Sequence, residues 1–231
     1  STFGKHRIVR LLGRGGMGEV YEVLDGEGGV WALKVLAEDM MDKPGAVERF
    51  RKEARVTSEM DHPGIVKVDL TGETDGRHWL RMEMAEGREI GGEKAITLQE
   101  YLEANDGRLS EVETKDLLQS LLTSLEYAHG RGLVHRDLKP ANVLFFGDDP
   151  KIADFGLVDA AGAEWMETQV KNSMVASMME ETLLDSDTGS TGSRSRALMG
   201  TFAYMSPEQK EGREADARSD LYAIGLMARE A

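Results

Sequence analysis

The stretch HRDLKPANVL, residues 135–144, decides the fold of this chain. It places a carboxylate, an ammonium group and an amide close together, those of Asp137, Lys139 and Asn142 in that order. The proline between them interrupts regular structure. Two short apolar strands, NVLFF and KIADF, then flank the turn GDDP and predict a β-hairpin. The tripeptide DFG, residues 154–156, lies on the far side of that hairpin. We therefore expect Asn142 and Asp154 to meet at the same end of it.

These side chains are the groups that phosphoryl transfer requires. Asp137 would accept a proton from an attacking hydroxyl, and the ammonium group of Lys139 would stabilise charge on the moving phosphoryl group. The amide oxygen of Asn142 and the carboxylate of Asp154 are ligands of the type that Mg²⁺ prefers. HRD alone would indicate only a charged turn, but DFG on the far side of the hairpin argues against that alternative.

Closer to the N-terminus, GRGGMGEV at residues 13–20 indicates a phosphate-binding loop. Gly13, Gly15 and Gly18 lie between two predicted strands, where glycines let the backbone approach a polyphosphate without Cβ clashes. A dinucleotide-binding motif would need a helix directly after the glycines, whereas a strand follows here. The alternative is a flexible hairpin without a ligand.

Lys34 lies in the middle of the apolar strand VWALKVL, residues 30–36, where an unpaired lysine is costly. We expect an acidic partner on the following helix, and Glu53 is the candidate. Glu48 and Glu59 stay open as rivals because the sequence does not settle the phase of the helix. The alternative is a lysine at an exposed sheet edge with its ammonium group in water.

The hydrophobic pattern divides the chain into two parts. The first third is predicted to form about five strands and one helix, which covers residues 44–60. The clearest helix comes later, where Ser110 and Glu113 form a capping-box pattern and Gly130 marks the end. Its apolar face consists of Leu117, Leu118, Leu121, Leu122 and Leu125. Between the two parts, residues 88–96 (REIGGEKAI) are a polar, glycine-containing insert.

In this order, the stretches HRDLKPANVL, KIADFG, GTFAYMSPEQ and SDLYAIG resemble the eukaryotic-type (Hanks-type) Ser/Thr protein kinases, especially the bacterial members. The resemblance covers nearly the whole chain. It implies an α+β, bilobal protein-kinase fold, with an antiparallel sheet plus one helix in an ATP-binding N-lobe at residues 1–85. Residues 86–231 would form a mostly helical C-lobe with the catalytic loop and a long activation segment.

The resemblance also implies an activity and its residues. The γ-phosphate of ATP would pass to Ser or Thr of a protein substrate, with ATP and Mg²⁺ as cofactors. The implied catalytic groups are the base Asp137, together with Lys139, Lys34, its partner Glu53, and Thr201, which would bridge Asp137 and Lys139. The implied metal ligands are Asn142 and Asp154.

The same resemblance assigns the nucleotide pocket. The phosphates would lie under Gly13, Gly15 and Gly18 and contact Lys34. The adenine would contact Val20, Ala32, Leu144, the gatekeeper Met82, and the backbone of Glu83 and Ala85. The wording LKPAN, together with Thr201, favours Ser/Thr over Tyr as the acceptor.

Composition excludes several other classes. The net charge of −14 argues against a general nucleic-acid binder, which needs a basic face. The chain has no cysteine, so disulfides and thiolate chemistry are excluded. No apolar run approaches the length of about 18 residues needed for a membrane span. We expect a cytoplasmic domain with no membrane span within this chain.

Two departures from the family pattern lead to further expectations. The segment from Asp154 to Glu208 is unusually long, with a methionine-rich stretch at residues 165–184 and a low-complexity stretch at residues 185–196. Within the latter we expect autophosphorylation between Thr188 and Ser195, and the alternative is a linker without phosphate. The family's last helices do not follow the helix of Asp220, so we expect a C-lobe truncated there and a homodimer through the activation segment or C-terminal helices. The alternative function is a pseudokinase, a nucleotide-binding scaffold without turnover.

Overall fold

The computed structural model describes residues 1–15, 18–42, 45–155 and 202–230, without the side chains of Asp39, Arg49 and Glu53. Expectations about the methionine-rich stretch, the low-complexity stretch and Thr201 therefore lie outside the described residues. No helix in the described part of the chain is both long and apolar enough to cross a membrane.

The N-terminal part is an antiparallel six-stranded sheet in the order β1-β2-β3-β4-β6-β5. Its strands are β1 (Thr2–Phe3), β2 (His6–Gly15), β3 (Gly18–Leu24), β4 (Val30–Leu36), β5 (Val68–Thr74) and β6 (Arg77–Met82). Helices α1 (Glu38–Met41) and α2 (Ala46–Ser58) follow β4. Phe50 and Ala54 of α2 pack with Leu36 and Leu80 on one face of the sheet, because alternate strand residues point to that face.

The C-terminal part is mainly helical. It contains β7 (Arg88–Ile90), β8 (Glu93–Ala95), α3 (Leu98–Ala104), α4 (Glu111–His129), a 3₁₀ turn (Pro140–Asn142), β9 (Val143–Phe146), β10 (Asp149–Ile152), α5 (Pro207–Lys210) and α6 (Ala217–Glu230). Its core joins Leu121 and Leu125 of α4 to Phe145, Ile152 and Met227. The α+β bilobal class predicted from the sequence is confirmed, with β1 and α1 as additions to the expected strands and helix.

Several element boundaries differ from the prediction. Helix α2 begins at Ala46, not at Pro44, because Gly45 has φ +70° and caps the helix from a left-handed conformation. Strand β5 begins at Val68, not at Gly64. The turn between β9 and β10 is shorter than GDDP, since Asp149 already pairs with Phe146.

Helix α4 has the ends that the sequence predicted, but its predicted apolar face is not buried throughout. The capping box of Ser110 and Glu113 is present, and Gly130 is the C-cap. Of the predicted apolar face, Leu122 is 43% exposed rather than buried.

Residues 88–96 contain the β7–β8 hairpin, which Arg88 anchors by an ion pair with Glu113 (3.1 Å) and by stacking on Tyr101.

Candidate active site

The predicted catalytic loop, residues 135–142, contains a strained residue. Arg136 has φ +67°, a left-handed region that costs a non-glycine residue about 1–3 kcal/mol. The buried carboxylate of Asp220 in α6 accepts hydrogen bonds from the backbone N–H groups of His135 and Arg136, both at 2.8 Å. Two backbone donors are thereby paired inside the core, and the loop is tied to α6.

Asp220 is ionised although it is only 1% exposed. Burial favours its protonated form, but the hydrogen bond from His129 (2.7 Å) and those from the backbone N–H groups of His135 and Arg136 outweigh burial and lower its pKa. The strained loop is therefore held by charge-assisted hydrogen bonds, the stronger kind.

His135 links the catalytic loop to the strand that leads to Asp154. Its ring is fully buried and lies 4.9 Å from the ring of Phe155. Nε2 is 2.8 Å from the carbonyl oxygen of Ala153, and the N–H of Asp137 donates to Nδ1 at 3.2 Å. A carbonyl can only accept, so these partners assign the proton to Nε2.

Asp137, Lys139 and Asn142 form one compact cluster. The ammonium group of Lys139 lies 2.8 Å from Oδ2 of Asp137. The Nδ2 group of Asn142 donates to the backbone carbonyl of Asp137 at 2.7 Å and approaches its Oδ2 at 3.3 Å. Because Nδ2 is used inside the loop, the amide oxygen of Asn142 is the atom that could ligate a metal ion.

Asp154 lies beside this cluster because of the hairpin. Val143, the first residue of β9, pairs with Ile152, the last residue of β10, and the N–H of Ala153 donates to the carbonyl of Asn142 at 2.9 Å. Asn142 and Asp154 therefore leave the same end of the hairpin, which is the arrangement the sequence predicted.

The carboxylate of Asp154 forms an ion pair with Lys34, with 2.7 Å between Oδ2 and Nζ. Burial would raise the pKa of Asp154, but the charge and hydrogen bond of Lys34, with a smaller effect of the Lys139 charge, lower it overall. Asp154 is therefore anionic at neutral pH. With Asn142 it offers the hard oxygen atoms that suit Mg²⁺.

The predicted partner of Lys34 on α2 stays a prediction. Glu53 lies within α2, but its side chain is outside the described residues, as is Thr201. The two rivals are both exposed: Glu48 lies in the first turn of α2, and Glu59 follows the helix and pairs with Arg55 at 3.5 Å.

The three predicted phosphate-binding glycines lie in different surroundings: Gly13 and Gly15 belong to the end of β2, and Gly18 begins β3. A Cβ atom on Gly18 would lie 2.0 Å from the carbonyl oxygen of Val35, so packing between β3 and β4 alone requires glycine there. A Cβ on Gly13 or Gly15 would meet no atom within 4 Å. Of the three, Gly13 and Gly15 have open space that a ligand could share with the backbone.

The predicted adenine contacts lie together on one face of the sheet. Val20 pairs with Lys34 across β3 and β4, and Ala32 pairs with Met82 across β4 and β6, so all four share a face. Val20 and Leu144 pack against the cluster that contains Ala32 and Met82, and so does Leu12, which the sequence analysis did not single out. Lys34, which contacts Asp154, lies on the same face of the sheet as these apolar side chains.

After Met82 the chain continues into the linker between the two parts. The N–H of Glu83 donates to the carbonyl of Lys67 at 3.1 Å, and its carboxylate lies 2.8 Å from Nζ of Lys151. Glu83 is thus held from both parts of the molecule. Ala85, the other predicted hinge residue, lies two positions later and is buried.

Sequence analysis missed the anchoring roles of His135 and Asp220. The signal for Asp220 was an acid at the start of the apolar helix SDLYAIGLM, where a buried charge needs partners. The partners themselves are more than 80 residues away in the chain, so no local pattern reveals them.

Comparison with known proteins agrees with this geometry. The model of the protein kinase domain family matches residues 6–231. The serine/threonine-protein kinase PknA of Mycobacterium tuberculosis is 36% identical over 235 residues, which cover 99% of this chain and 46% of PknA. PrkC of Bacillus subtilis, another serine/threonine-protein kinase, is 32% identical over 229 residues, covering 97% of this chain and 30% of PrkC.

Solved structures show the same fold. The crystal structure of the Mycobacterium tuberculosis PknI kinase domain has a TM-score of 0.69 and 29% sequence identity, and covers 99% of this chain and 72% of the PknI chain. The chain thus spans less than half the length of the curated relatives named above. The matched family model, the relatives and the clustered Asp137, Asn142 and Asp154 lead to one conclusion: the chain belongs to the protein kinase domain family.

Proposed function

We propose that this chain transfers the γ-phosphoryl group of ATP to Ser or Thr hydroxyls of proteins. The observation that carries the proposal is the cluster at the open end of the β9–β10 hairpin, where Lys139 and Asn142 contact Asp137 and Lys34 contacts Asp154. The relatives named as serine/threonine-protein kinases support the same activity.

Each group has a role that follows from its chemistry. Asp137, part-buried and hydrogen-bonded, accepts the proton of the substrate hydroxyl. Lys139, 2.8 Å from Asp137, stabilises the negative charge of the transferring phosphoryl oxygens. Lys34 holds the α- and β-phosphates and, with Glu53, sets their position. Mg²⁺, when bound by Asn142 and Asp154, neutralises phosphate charge.

The two parts of the chain divide this work. Residues 1–85 hold the nucleotide, with Leu144 of the C-terminal part closing the adenine site against Val20 and Ala32. The backbone after Met82 forms hydrogen bonds with the edge of the adenine. Residues 86–231 carry the base and the metal ligands and accept the protein substrate. Thr201 and the LKPAN loop select Ser or Thr over Tyr. A cytoplasmic location, where ATP and Mg²⁺ are available, is part of the proposal.

The alternative, a pseudokinase that binds nucleotide without turnover, is not favoured. It would have to keep Asp137, which contacts the acceptor and not the nucleotide, for no purpose. The test is transfer of radiolabelled phosphate from ATP to a generic protein substrate or to the chain itself. Transfer that disappears in Asp137→Asn supports a kinase, whereas ATP binding without any transfer supports the scaffold.

We also infer that the chain forms a homodimer through helix α6. A groove between α4 and α6 is lined by Leu118, Leu122, Leu221 and Ala228. Leu122 and Leu221 are 43% and 48% exposed, and a contiguous apolar surface of this kind is typical of an interface. A second copy that presents the same groove would bury both leucines, since a two-fold interface pairs identical surfaces.

Light scattering of the 231-residue chain tests the dimer. Leu221→Ser should shift the mass from dimer to monomer. Val9→Ser is the matched control, because Val9 is 48% exposed like Leu221 but lies on β2. A monomer at micromolar concentration without any substitution rejects the dimer and leaves the kinase assignment unaffected.

A further inference from the structure

The strained residue before the catalytic Asp137 is held from two sides. The N–H of Arg136 donates to Oδ1 of Asp220 at 2.8 Å, as described above. Its carbonyl oxygen accepts a hydrogen bond from Nε2 of Gln209, at 2.7 Å. Helices α6 and α5 thus each supply one side chain to the same peptide segment, and together they hold Arg136 at φ +67°.

The side chain of Gln209 is held in place by burial and by hydrogen bonds. The side chain is 3% exposed, which leaves no water to replace a lost partner. Its Oε1 accepts hydrogen bonds from the N–H and the hydroxyl of Ser206, both at 3.1 Å, in the capping box of α5. Because Oε1 is used by these donors, the NH₂ group must face Arg136, so the amide orientation follows from its partners.

The hydrogen bond from Gln209 acts on Asp137 through the peptide bond between Arg136 and Asp137. The carbonyl that Gln209 holds belongs to the peptide that carries the N–H of Asp137, and that N–H donates to His135 at 3.2 Å. Rotation of this peptide would move the Asp137 carboxylate relative to Lys139 and Asn142. Small displacements of a general base cost large factors in rate, because proton transfer needs hydrogen-bond distance.

We propose that Gln209 is a positioning residue for phosphoryl transfer: it fixes the peptide between Arg136 and Asp137 so that the Asp137 carboxylate is aimed at the acceptor hydroxyl. This inference rests on the proposed kinase function. It predicts that Gln209 affects turnover and not nucleotide binding, since its hydrogen bonds among the described residues go to Ser206 and Arg136 and not to Lys34, Asp154 or the predicted adenine contacts.

The decisive variant is Gln209→Glu. Glutamate is itself a usual capping-box residue, so the new side chain keeps the acceptor for Ser206. Its carboxylate cannot donate to the carbonyl of Arg136, and two acceptors would then face each other in a buried site. When protonated, the new carboxyl group can donate again. Burial raises the pKa of such a group, so protonation falls within an accessible pH range.

The expected result is a loss of kcat of about tenfold or more at pH 8, with KM for ATP within about twofold of the unaltered chain. As the pH falls toward 5.5, the ratio of variant to unaltered kcat should rise again. Amide hydrogen exchange at residues 136 and 137 should be faster in the variant at pH 8 and should approach the unaltered rate at lower pH. A side chain that only caps α5 would produce neither pH dependence.

Glu100→Ala is the matched control, because Glu100 occupies the same place in the capping box of α3. It should lower the melting temperature without lowering kcat. Gln209→Met, of similar length but without polar atoms, is the second variant and should lose kcat at every pH tested. If Gln209→Glu unfolds at pH 8, recovery of its melting temperature at low pH supports the contact, and no recovery overturns it.

An unchanged kcat in Gln209→Glu, or equal losses of kcat and ATP affinity, would overturn the positioning role. These results differ from failure of the kinase function, in which the unaltered chain transfers no phosphate at all. In that case the exchange rates at residues 136 and 137 still decide whether Gln209 holds the peptide.

Discussion

Lys34 and Asp154 form a direct ion pair, with 2.7 Å between Nζ and Oδ2, although 120 positions separate them in the chain. Lys34 comes from the sheet of the N-terminal part and Asp154 from the end of the hairpin in the C-terminal part. The ammonium group keeps Asp154 ionised, so the proposed metal ligand and the proposed phosphate ligand meet at one point between the two parts.

Asp154→Asn should abolish the Mg²⁺-dependent gain in nucleotide affinity. The substitution removes the anionic ligand of the metal ion while keeping the size of the side chain. Titration calorimetry with ATP, with and without Mg²⁺, measures the effect. Asp149→Asn makes the same charge change at the exposed start of β10 and should keep the gain. Equal titrations for the unaltered chain and Asp154→Asn would refute the assignment of Asp154.

Asp137→Asn should lower phosphoryl transfer by about 10²–10⁴-fold while ATP affinity stays within about twofold. The base acts on the acceptor hydroxyl and not on the nucleotide, and an amide cannot accept its proton. Steady-state kinetics and calorimetry of the same preparation check the two halves of the prediction. Near-normal turnover in the variant would show that Asp137 is not the base.

Substitution of Gly18 should affect stability, whereas substitution of Gly15 should affect ATP binding. Gly18→Ala should destabilise the fold by about 1–3 kcal/mol, because the new Cβ would lie 2.0 Å from the carbonyl of Val35. Gly15→Ala should change stability by less than about 0.5 kcal/mol and weaken ATP binding, since a methyl group there meets no protein atom. Denaturant unfolding and ATP titration of both variants provide the comparison. Similar unfolding midpoints for the two variants would contradict it.

His6 should make the N-terminal sheet sensitive to acid. Its ring lies against Trp79 at 4.8 Å, and Nδ1 has no hydrogen-bond partner among the described residues. Burial, and then the charge of Arg81, lower its pKa from the ordinary 6.5, against weaker opposite effects of Phe3 and Asp25. The unfolded chain therefore binds the proton more readily, so stability that is present above about pH 6.5 is lost as the pH falls.

His6→Phe tests this prediction. Phenylalanine keeps the edge contact with Trp79 and removes the titrating nitrogen, so melting temperature should depend less on pH between 7 and 5 than in the unaltered chain. The variant should keep the part of the pH dependence that comes from His78, whose pKa is also lowered by burial. Calorimetry combined with tryptophan fluorescence follows the change. An identical pH dependence in both proteins would exclude His6 as its source.

The local elements show why some features could be predicted from the sequence. The capping box of Ser110 and Glu113 closes within one helical turn, and the pairing of β9 with β10 needs only a short turn between alternating apolar residues. Interactions at such short separation depend on neighbouring residues alone, so the pattern is sufficient. The β7–β8 hairpin was missed because its stability depends on Arg88, whose partner Glu113 lies in another element.

The sequence by itself determined the family, the order of the elements and the types of group available for phosphoryl transfer, since these depend on residue identity and local periodicity. Only the tertiary structure decided which groups meet: that Lys34 contacts Asp154, that Asp220 and Gln209 hold Arg136, that Gly18 is required by packing, and that Leu122 is exposed. The physical reason is that these contacts join distant segments. Their formation depends on how whole helices and strands pack, which no short stretch of sequence specifies.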